Sequence, residues 1–368
     1  MAFINGIGII SPQKTAEANE FLTEVMEYTA DYLKCVDPVY RGYIDPILGR
    51  RMSRLIKMGI TSAKICMKDA ERLSTDSKLQ NPDSGFGIPD AIITGTGLGS
   101  VEDTEKILGE LAKDEKFLNP TPFIQSTYNT ISSQIAINLK CHGYNATYVH
   151  RTFSFESGLL DALMQMEEKM AETVLVGGID EMTLNHLAIT RRIGLWKMEP
   201  VNNLQLNNSL TPGTLAGEGA AYFLLGNKPG PNVYACLRDV SNQFSLDHNF
   251  NPADYVTRFL EKNSLTPDDV DLVLLGLNGD CNQDKNYFTF AEKVFPGKAH
   301  SWFKHLCGEY HTATGFGLYT ASKIIKLQSY PAILRLNETV PSSIKNILIY
   351  NQYLGVNHSF LLVSEVNC

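Results

Sequence analysis

Short apolar runs that alternate with amphipathic segments are the feature of this chain that most restricts its fold. "AFINGIGII" near the start and "VDLVLLGL" in the last third have the continuous apolar character of strands buried on both faces. Between such runs, "RMSRLIKMGITSAKICMKDAERL" repeats apolar residues at helical spacing. The strand-and-helix series occurs twice, so the sequence predicts a layered α/β fold built from two similar halves.

The two halves are expected to cover residues 1–228 and 229–368. No long linker separates them, and the chain of 368 residues can bury a large core. The polar stretch 183–215, which contains "EPVNNLQLNNSLTPG", is the most loop-like part of the first half. We expect it to lie on the surface near a functional site.

Composition excludes several classes of function. The chain carries 32 Lys+Arg against 40 Asp+Glu, a net charge of −8, and it has no basic run, so a nucleic-acid partner is not expected. No apolar run approaches the roughly 20 residues of a membrane span, and the start lacks the basic region of a secretory signal. Without such a run, no membrane partner is expected. The seven cysteines are scattered and odd in number, which favours reduced thiols in a cytoplasmic protein.

The segment "YVHRTFSFESGLLDALMQMEE", residues 148–168, predicts a strand that turns sharply into a helix. Many α/β enzymes hold a nucleophile at such a bend, yet here the nearest cysteine, Cys141, lies well upstream. Ser154 suits the N-cap position of the helix. Glu156 in the first turn would either interact with the helix dipole or face a pocket.

Four motifs follow one another in an order that is similar to that of β-ketoacyl synthases. They are "DAIITGTGLGS", "NPTPFIQSTYNTISSQIA", "VLVGGIDEM" and "AGEGAAYFLL". The resemblance runs from residue 50 to the C-terminus and implies a thiolase-like fold with αβαβα layers and two pseudo-duplicated halves. It also implies dimerisation through the region 121–140, and it requires no cofactor.

The resemblance implies a catalytic cysteine at the start of the helix after the bend, where backbone amides and the helix dipole favour a thiolate. Matching "ESGLLDA" to the family places either Phe155 or Glu156 at that position, and the register of "LLDA" favours Glu156. Neither side chain can form an acyl thioester. Ser154 is the remaining hydroxyl, but the sequence places no base beside it.

Two further catalytic positions, both histidines in the family, are altered or displaced. The first, which follows a buried strand, is occupied by Asn278, with Asp284 matching an acidic residue at the end of the same loop. Asn donates a hydrogen bond but exchanges no proton near neutral pH. The second is matched to His311 in "GEYHTATGFG", and the family's lysine to Lys304, displaced by about two residues. His311 would otherwise cap or pack at a helix start.

A Gly-Phe-Gly-Gly turn near the C-terminus of active synthases lets the backbone approach the acyl chain. Here "NQYLGVNHS" retains only Gly355 and Asn357. With Ser154, these residues are the expected remnant of the acyl pocket and oxyanion region. Because several features are changed together, we expect the whole cavity to have changed its purpose.

Chain-length factors of bacterial type II polyketide systems show a related pattern, since they resemble synthases that lack the cysteine. The "SFE" at 154–156 and "KHLCGEYHTA" at 304–313 resemble the synthase-like partner of aryl polyene or flexirubin-type pigment systems. This resemblance implies a heterodimer with an active synthase in fatty acid or polyketide biosynthesis, and binding of an acyl carrier protein. Two alternatives remain open: a divergent acyltransferase or decarboxylase that uses Ser154, Glu156 or His311, and a homodimer that binds acyl carrier proteins.

Two other patterns carry less weight. "GTGLGS", residues 95–100, lacks the spacing and the later acidic residue of a dinucleotide site, so a tight turn is expected. His305, Cys307 and His311 have no second ligand pair with supporting spacing. We therefore expect neither a bound metal nor a cofactor.

Overall fold

A ten-stranded sheet forms the centre of the described chain. The structure, a computed structural model, describes residues 1–16, 21–71, 87–113, 119–246 and 250–366. The strands in these residues are β1 Ala2–Ile10, β2 Thr29–Ala30, β3 Tyr32–Leu33, β4 Ala91–Gly95, β5 Tyr144–Tyr148, β6 Thr173–Asp180, β7 Val201–Asn202, β8 Ala216–Gly217, β9 Gly219–Gly226, β10 Ala235–Phe244, β11 Leu272–Leu275, β12 Ala299–Trp302, β13 Asn346–Tyr353 and β14 Asn357–Ser364.

Helices pack against both faces of the sheet. In the described residues they are α1 Pro46–Gly49, α2 Arg54–Glu71, α3 Val101–Leu111, α4 Pro120–Ser126, α5 Thr130–Leu139, α6 Ser154–Glu167, α7 Leu184–Arg191, α8 Pro252–Lys262, α9 Cys281–Val294, α10 Lys304–Cys307 and α11 Thr314–Leu327. Short 3₁₀ helices occur at Tyr40–Gly42, Arg151–Phe153, Asn203–Asn208, Pro267–Asp269 and Ala332–Leu334.

The sheet contains the same topology twice. Its first half runs β1-β9-β6-β4-β5, and its second half runs β10-β14-β13-β11-β12. Numbered within each half, both orders are 1-5-4-2-3, and the parallel and antiparallel pairs fall at the same places. The halves join where β1 pairs with β10, Ala2 to Ile4 against Ala235 to Leu237. The predicted duplication is therefore present, while the boundary at 228/229 stays a prediction.

Alternating strand residues divide the interior into separate cores. In β11, Leu272 and Leu274 belong to the cluster that contains α6 and α11, whereas Val273 and Leu275 belong to the cluster that contains α8 and α9. On the far side of the first half, α2 and α5 form a third large cluster. The layers are thus α2/α5, sheet, α6/α11, sheet and α8/α9, which is the predicted αβαβα order.

One helix begins later than its residues by themselves suggest. "STYNTISSQIAINLK" suggests a helix capped by Ser126 and Thr127, but Ser126 ends α4 and Asn129 is the N-cap of α5. The hydroxyl of Thr127 instead bonds the carbonyl of Ile124 and the hydroxyl of Thr130. Pro120 at the first position of α4, with Asn119 as its N-cap, begins the earlier helix that the sequence pattern concealed.

Candidate functional site

The head of α6 lies in the middle layer, where β4 ends. Ser154 begins the helix, and its N-cap is Phe153 rather than Ser154 itself. The Ser154 hydroxyl accepts a bond from the His150 amide at 2.8 Å and lies 2.9 and 2.7 Å from the carbonyls of Thr96 and Arg151. Ser154 is fully buried and has no basic side chain as a partner. Its hydrogen bonds hold the residues before α6 in place, and the predicted N-cap role of Ser154 is wrong.

Phe155 points into the core between the two halves. Its ring packs 5.8 Å from that of Phe223, and it is fully buried. A Cβ atom added to Gly178 would lie 3.1 Å from its Cβ, and one added to Gly315 would lie 3.8 Å from its ring. Phe155 therefore fills the space in which α6 approaches α11.

Glu156 is the third residue of α6, and its side chain is also fully buried. Its Oε1 accepts a bond from the Ser359 hydroxyl on β14 at 3.2 Å, whereas its Oε2 has no hydrogen-bond partner. Burial raises the pKa of Glu156 to about 7, although the hydroxyls of Thr314 and Ser359 and the charge of Lys304 act in the opposite direction. A carboxyl group thus lies among α6, α11 and β14.

A buried ion pair lies in the same region. The Lys304 ammonium donates to Glu309 Oε2 at 2.6 Å, and both side chains are almost completely buried. Asn278 Nδ2 donates to the same oxygen at 2.8 Å. The arrangement brings together two residues that the sequence analysis singled out, Asn278 and Lys304, through a third that it missed.

Glu309 had a detectable sequence signal. Matching Lys304 to the family's lysine required a displacement of about two residues if His311 was the family's second histidine. If Lys304 is matched without that displacement, the position of the family's second histidine falls on Glu309 instead of His311. Glu309 is the residue that contacts Lys304. We refer to Asn278, Lys304 and Glu309 below as the amide–lysine–carboxylate cluster.

The loop after β11 is held by Asp284. Its Oδ1 accepts from the Asn278 amide at 3.0 Å, and its Oδ2 accepts from the Gly279 amide at 2.8 Å. Burial raises the pKa of Asp284 to about 6, against these hydrogen bonds. Asp284 therefore shapes the loop that presents Asn278 to Glu309.

The segment 183–215 is less loop-like than expected, because it contains α7, β7 and a 3₁₀ helix. It reaches the loop after β11 through Lys197. The buried Lys197 ammonium donates to the carbonyls of Gly279 and Thr211, both at 2.7 Å, and to the Ser209 hydroxyl at 2.6 Å. A cavity of about 20 Å³, lined by Trp196, Thr214, Asn278, Gln283 and Tyr353 among others, lies between the two segments. It has room for about one water molecule.

His311 does not join the amide–lysine–carboxylate cluster through a hydrogen bond. Its ring lies against Gly97, since a Cβ atom on that glycine would come within 2.2 Å of the ring, and it meets the edge of Tyr353 at 5.8 Å. Its Nδ1 is buried without a partner. Burial, with the charge of Arg151, lowers the pKa of His311 to about 4, which leaves the ring neutral at pH 7.

Of the two C-terminal remnant residues, Gly355 lies in the turn between β13 and β14, and Asn357 begins β14. Leu354 and Gly355 both have positive φ angles, 55° and 66°. Asn357 Nδ2 donates to the Thr152 hydroxyl at 2.7 Å, which ties the hairpin to the bend before α6. Gly355 and Asn357 therefore lie at the same end of the middle layer as Ser154, and the structure brings this predicted group together.

The side chains at the site determine which reactions it can support. The first turn of α6 contains no thiol, and the amide and the ammonium nearby are bonded to a carboxylate instead of being free to polarise a carbonyl. Within the described residues, no group of three side chains could hold a metal ion, and no helix is long and apolar enough to cross a membrane. The site therefore consists of buried polar groups, among them the glutamates Glu156 and Glu309 and the lysines Lys197 and Lys304.

Comparison with known proteins identifies the architecture. The family model described as the N-terminal domain of β-ketoacyl synthase matches residues 18–229. No curated protein matches the chain. A chain of the ishigamide ketosynthase/chain length factor matches with a TM-score of 0.79 and 17% identity, covering 99% of this chain and 98% of that chain.

Two other solved structures show the same likeness. A chain from the ketosynthase ApeO in complex with its chain length factor ApeC, from Xenorhabdus doucetiae, has a TM-score of 0.73 and 13% identity, over 99% of this chain and 98% of that chain. A chain from AntDE:AntF, a type II PKS acyl-carrier protein in complex with its ketosynthase, has a TM-score of 0.71 and 15% identity, over 99% of both chains. The predicted thiolase-like fold is confirmed.

Proposed function

The chain belongs to the β-ketoacyl synthase family, and we propose that it acts there as the chain-length-factor-like partner of an active synthase, without condensing activity of its own. The observation that carries this proposal is the head of α6. Phe155 and Glu156 are buried where the resemblance places the cysteine, and Asn278 donates to Glu309 where it places a free catalytic histidine.

Condensation requires groups that this site does not offer. A thiolate must take the acyl chain, and donors must stabilise the carbonyl oxygen as negative charge develops on it. Here the donors of Asn278 and Lys304 meet the Glu309 carboxylate.

The alternative of a divergent acyltransferase loses its main nucleophile candidate. Ser154 is buried and satisfied by backbone groups, and no imidazole or carboxylate accepts its proton. A serine without a base is a weak nucleophile at neutral pH. The neutral His311 lies against Gly97 and has no hydrogen bond to Ser154.

A surface for the partner synthase lies at the end of the sheet. Strand β5 is the last strand in the order, and Thr96 N donates to Tyr148 O on its inner side. Because the direction of the backbone N–H and C=O groups alternates along a strand, those of Asn145 and Thr147 point away from β4. An exposed strand edge of this kind pairs readily with another chain.

Exposed apolar residues surround this edge. They come from α4, α5, the link between these helices and β5, and we name them with the strand the partner surface: Phe123, Ile124, Tyr128, Ile137 and Tyr144. A groove of about 400 Å³ between α5 and β5 is lined partly by Ser133, Asn145 and Thr147, and the Thr147 hydroxyl is buried without a partner. An exposed patch of this kind marks an interaction site.

Helix α6 connects the altered site to the partner surface. Its first turn carries Glu156, and farther along Asp161 accepts a bond from the Tyr144 hydroxyl at 3.1 Å, while Met164 is exposed. A chain that grows in the partner's site would therefore meet this subunit along α6. This supports a role in setting product length.

Acyl carrier protein is the second proposed partner, and fatty acid or aryl polyene-type polyketide biosynthesis in the cytoplasm is the proposed setting. The sequence resemblance at 154–156 and 304–313 supports the pigment assignment. The likeness to chains of ketosynthase/chain length factor complexes, and to one with an acyl-carrier protein, supports the choice of partners.

Co-expression with an intact synthase encoded beside this chain tests the proposal. We expect a 1:1 complex whose product length changes when residues near α6 are altered. The chain alone, incubated with acyl and malonyl carrier protein, should show no acyl adduct by intact mass and release no CO₂. An adduct, or condensation by the isolated chain, would end the proposal.

A further inference from the structure

We propose that the Gly-rich turn, Gly95–Ser100, is a mechanical link that transmits partner binding at Tyr128 to the start of α11 and the head of α6. The inference rests on the proposed function, because it requires that the partner synthase covers the partner surface. Tyr128 is thus a positioning residue that acts on the site through the turn.

The outer contact of the link is between Tyr128 and Gly99. Gly99 has a φ of +65°, and a Cβ atom placed on it would lie 2.6 Å from Cδ1 of the Tyr128 ring. The ring therefore rests on the backbone of the turn itself. Its other side is open, since Tyr128 is 47% exposed at the junction of α4 and α5.

The inner contact is between Gly97 and His311. The imidazole lies on the Gly97 backbone, and a Cβ atom there would be 2.2 Å from the ring. Asp180 reinforces the contact, because its Oδ1 accepts from the Gly97 amide at 2.7 Å and its Oδ2 accepts from the Thr312 amide at 2.9 Å. One carboxylate thus joins the turn to the segment that leads into α11.

A third contact joins the turn to α6. The carbonyl of Thr96 lies 2.9 Å from the Ser154 hydroxyl, and a Cβ atom on Gly95 would lie 2.5 Å from the Ser154 carbonyl. Within the turn, the Gly99 amide donates to the Thr96 hydroxyl at 3.0 Å. One turn of six residues therefore contacts the partner surface, the segment that leads into α11, and α6.

The absence of side chains at three of these contacts makes the link stiff. A displaced side chain can change rotamer and absorb a movement, but a displaced backbone moves its neighbours, and packed interiors transmit such strain. A partner that shifts the Tyr128 ring moves Gly99, and through the turn Gly97 and His311. Assembly with the partner would in this way set the geometry of the altered site.

Two reporters on the isolated chain test the link without any partner. They are hydrogen exchange at the Gly97 and Gly99 amides, and the imidazole resonance of His311, assigned with His311→Gln. We expect Tyr128→Ala to speed exchange at both glycines about tenfold and to shift the His311 resonance. Gly99→Ala places a methyl group between the turn and the Tyr128 ring, so it should shift the same resonance.

Matched variants separate the link from general loosening. Tyr128→Phe keeps the ring, and Phe123→Ala removes an exposed ring, 61% accessible, from the neighbouring helix α4. Both should leave the reporters unchanged. If Tyr128→Ala leaves both reporters at their original values, or if Phe123→Ala moves them equally, the link does not exist.

The complex of this chain with the partner synthase provides a second test of the link. If the synthase binds this chain and the His311 resonance moves by an amount that Tyr128→Ala reduces, transmission is supported. A complex that forms without any change at His311 overturns transmission and leaves the proposed function intact. If no complex forms, the proposed function fails, and with it the role of the link in assembly.

Discussion

At the scale of single residues, the unusual feature is a buried carboxyl group with an unpaired oxygen. Glu156 Oε2 has no partner although the side chain is fully buried. An unsatisfied buried charge is costly, and a carboxyl group avoids that cost by keeping its proton. Glu156 therefore makes the folding stability dependent on pH.

Glu156→Gln tests this dependence. Burial raises the pKa of Glu156 from the ordinary 4.5 to about 7. The stability that depends on protonated Glu156 is therefore fully present below the unfolded-state pKa and is lost as the pH rises through the folded-state pKa. Between pH 4.5 and about 7, the free energy of unfolding of the variant, minus that of the parent, should rise by about 3 kcal/mol. Urea titrations at several pH values measure it.

Glu167→Gln, at the exposed end of the same helix, is the matched control for the loss of one charge. If the difference between Glu156→Gln and the parent stays constant from acidic to basic pH, Glu156 is not the buried acid described above.

The Lys304–Glu309 pair leads to a second prediction at this scale. Lys304→Met leaves the Glu309 carboxylate buried with only the Asn278 amide as a side-chain donor, and should cost about 3–5 kcal/mol of unfolding free energy. Lys304→Met combined with Glu309→Leu removes both charges and should recover at least half of that loss. A double variant as unstable as Lys304→Met alone would contradict the pairing.

At the scale of elements, the site depends on a close approach between β8 and the segment after α10. Gly217 N donates to Glu309 O at 2.9 Å, and Glu309 N donates to Leu215 O at 2.8 Å. A Cβ atom on Gly217 would lie 2.1 Å from the Cys307 carbonyl oxygen. The "GEGA" motif therefore contains a glycine because the backbone that carries Glu309 lies directly over it.

Gly217→Ala is accordingly expected to destabilise the protein by about 1–3 kcal/mol, because a backbone oxygen cannot move aside as a side chain can. Gly109→Ala is the control within a helix: Gly109 lies in α3 with open space around it, so the substitution should stabilise by roughly 0.5–1 kcal/mol. Denaturant midpoints measure both. Equal effects of the two substitutions would show that Gly217 is not in close contact.

At the scale of the whole molecule, the two halves of the sheet end differently. The second half ends at β12, and the first ends at β5, beside the exposed residues of the partner surface. A sheet of ten strands with one such edge is suited to extension by a second subunit.

Ile137→Lys tests the role of this edge. A charge placed in the apolar part of the partner surface should weaken binding of the partner synthase about tenfold or more, while the melting temperature of the chain stays the same. Val340→Lys, another exposed apolar position, is the control and should bind normally. Titration calorimetry or size-exclusion profiles of the co-expressed pair provide the measurement.

The sequence by itself determined the layered fold, its duplication and the absence of a thiol at the head of α6. Apolar periodicity is a local property, and residues such as Phe155 and Glu156 are read directly from a motif that resembles the family's. Asn278 and Lys304 were found in the same way, because each lies in a segment with its own recognisable surroundings.

Tertiary structure alone decided which of these side chains meet. Glu309 lies 31 positions after Asn278, and although the spacing from Lys304 singles it out, only the packing of β8, β11 and α10 brings it to Asn278. The contacts of Gly97 with His311 and of Gly99 with Tyr128 likewise join segments far apart in the chain. Such pairings depend on how whole elements pack, and the spacing of residues along one element carries no record of it.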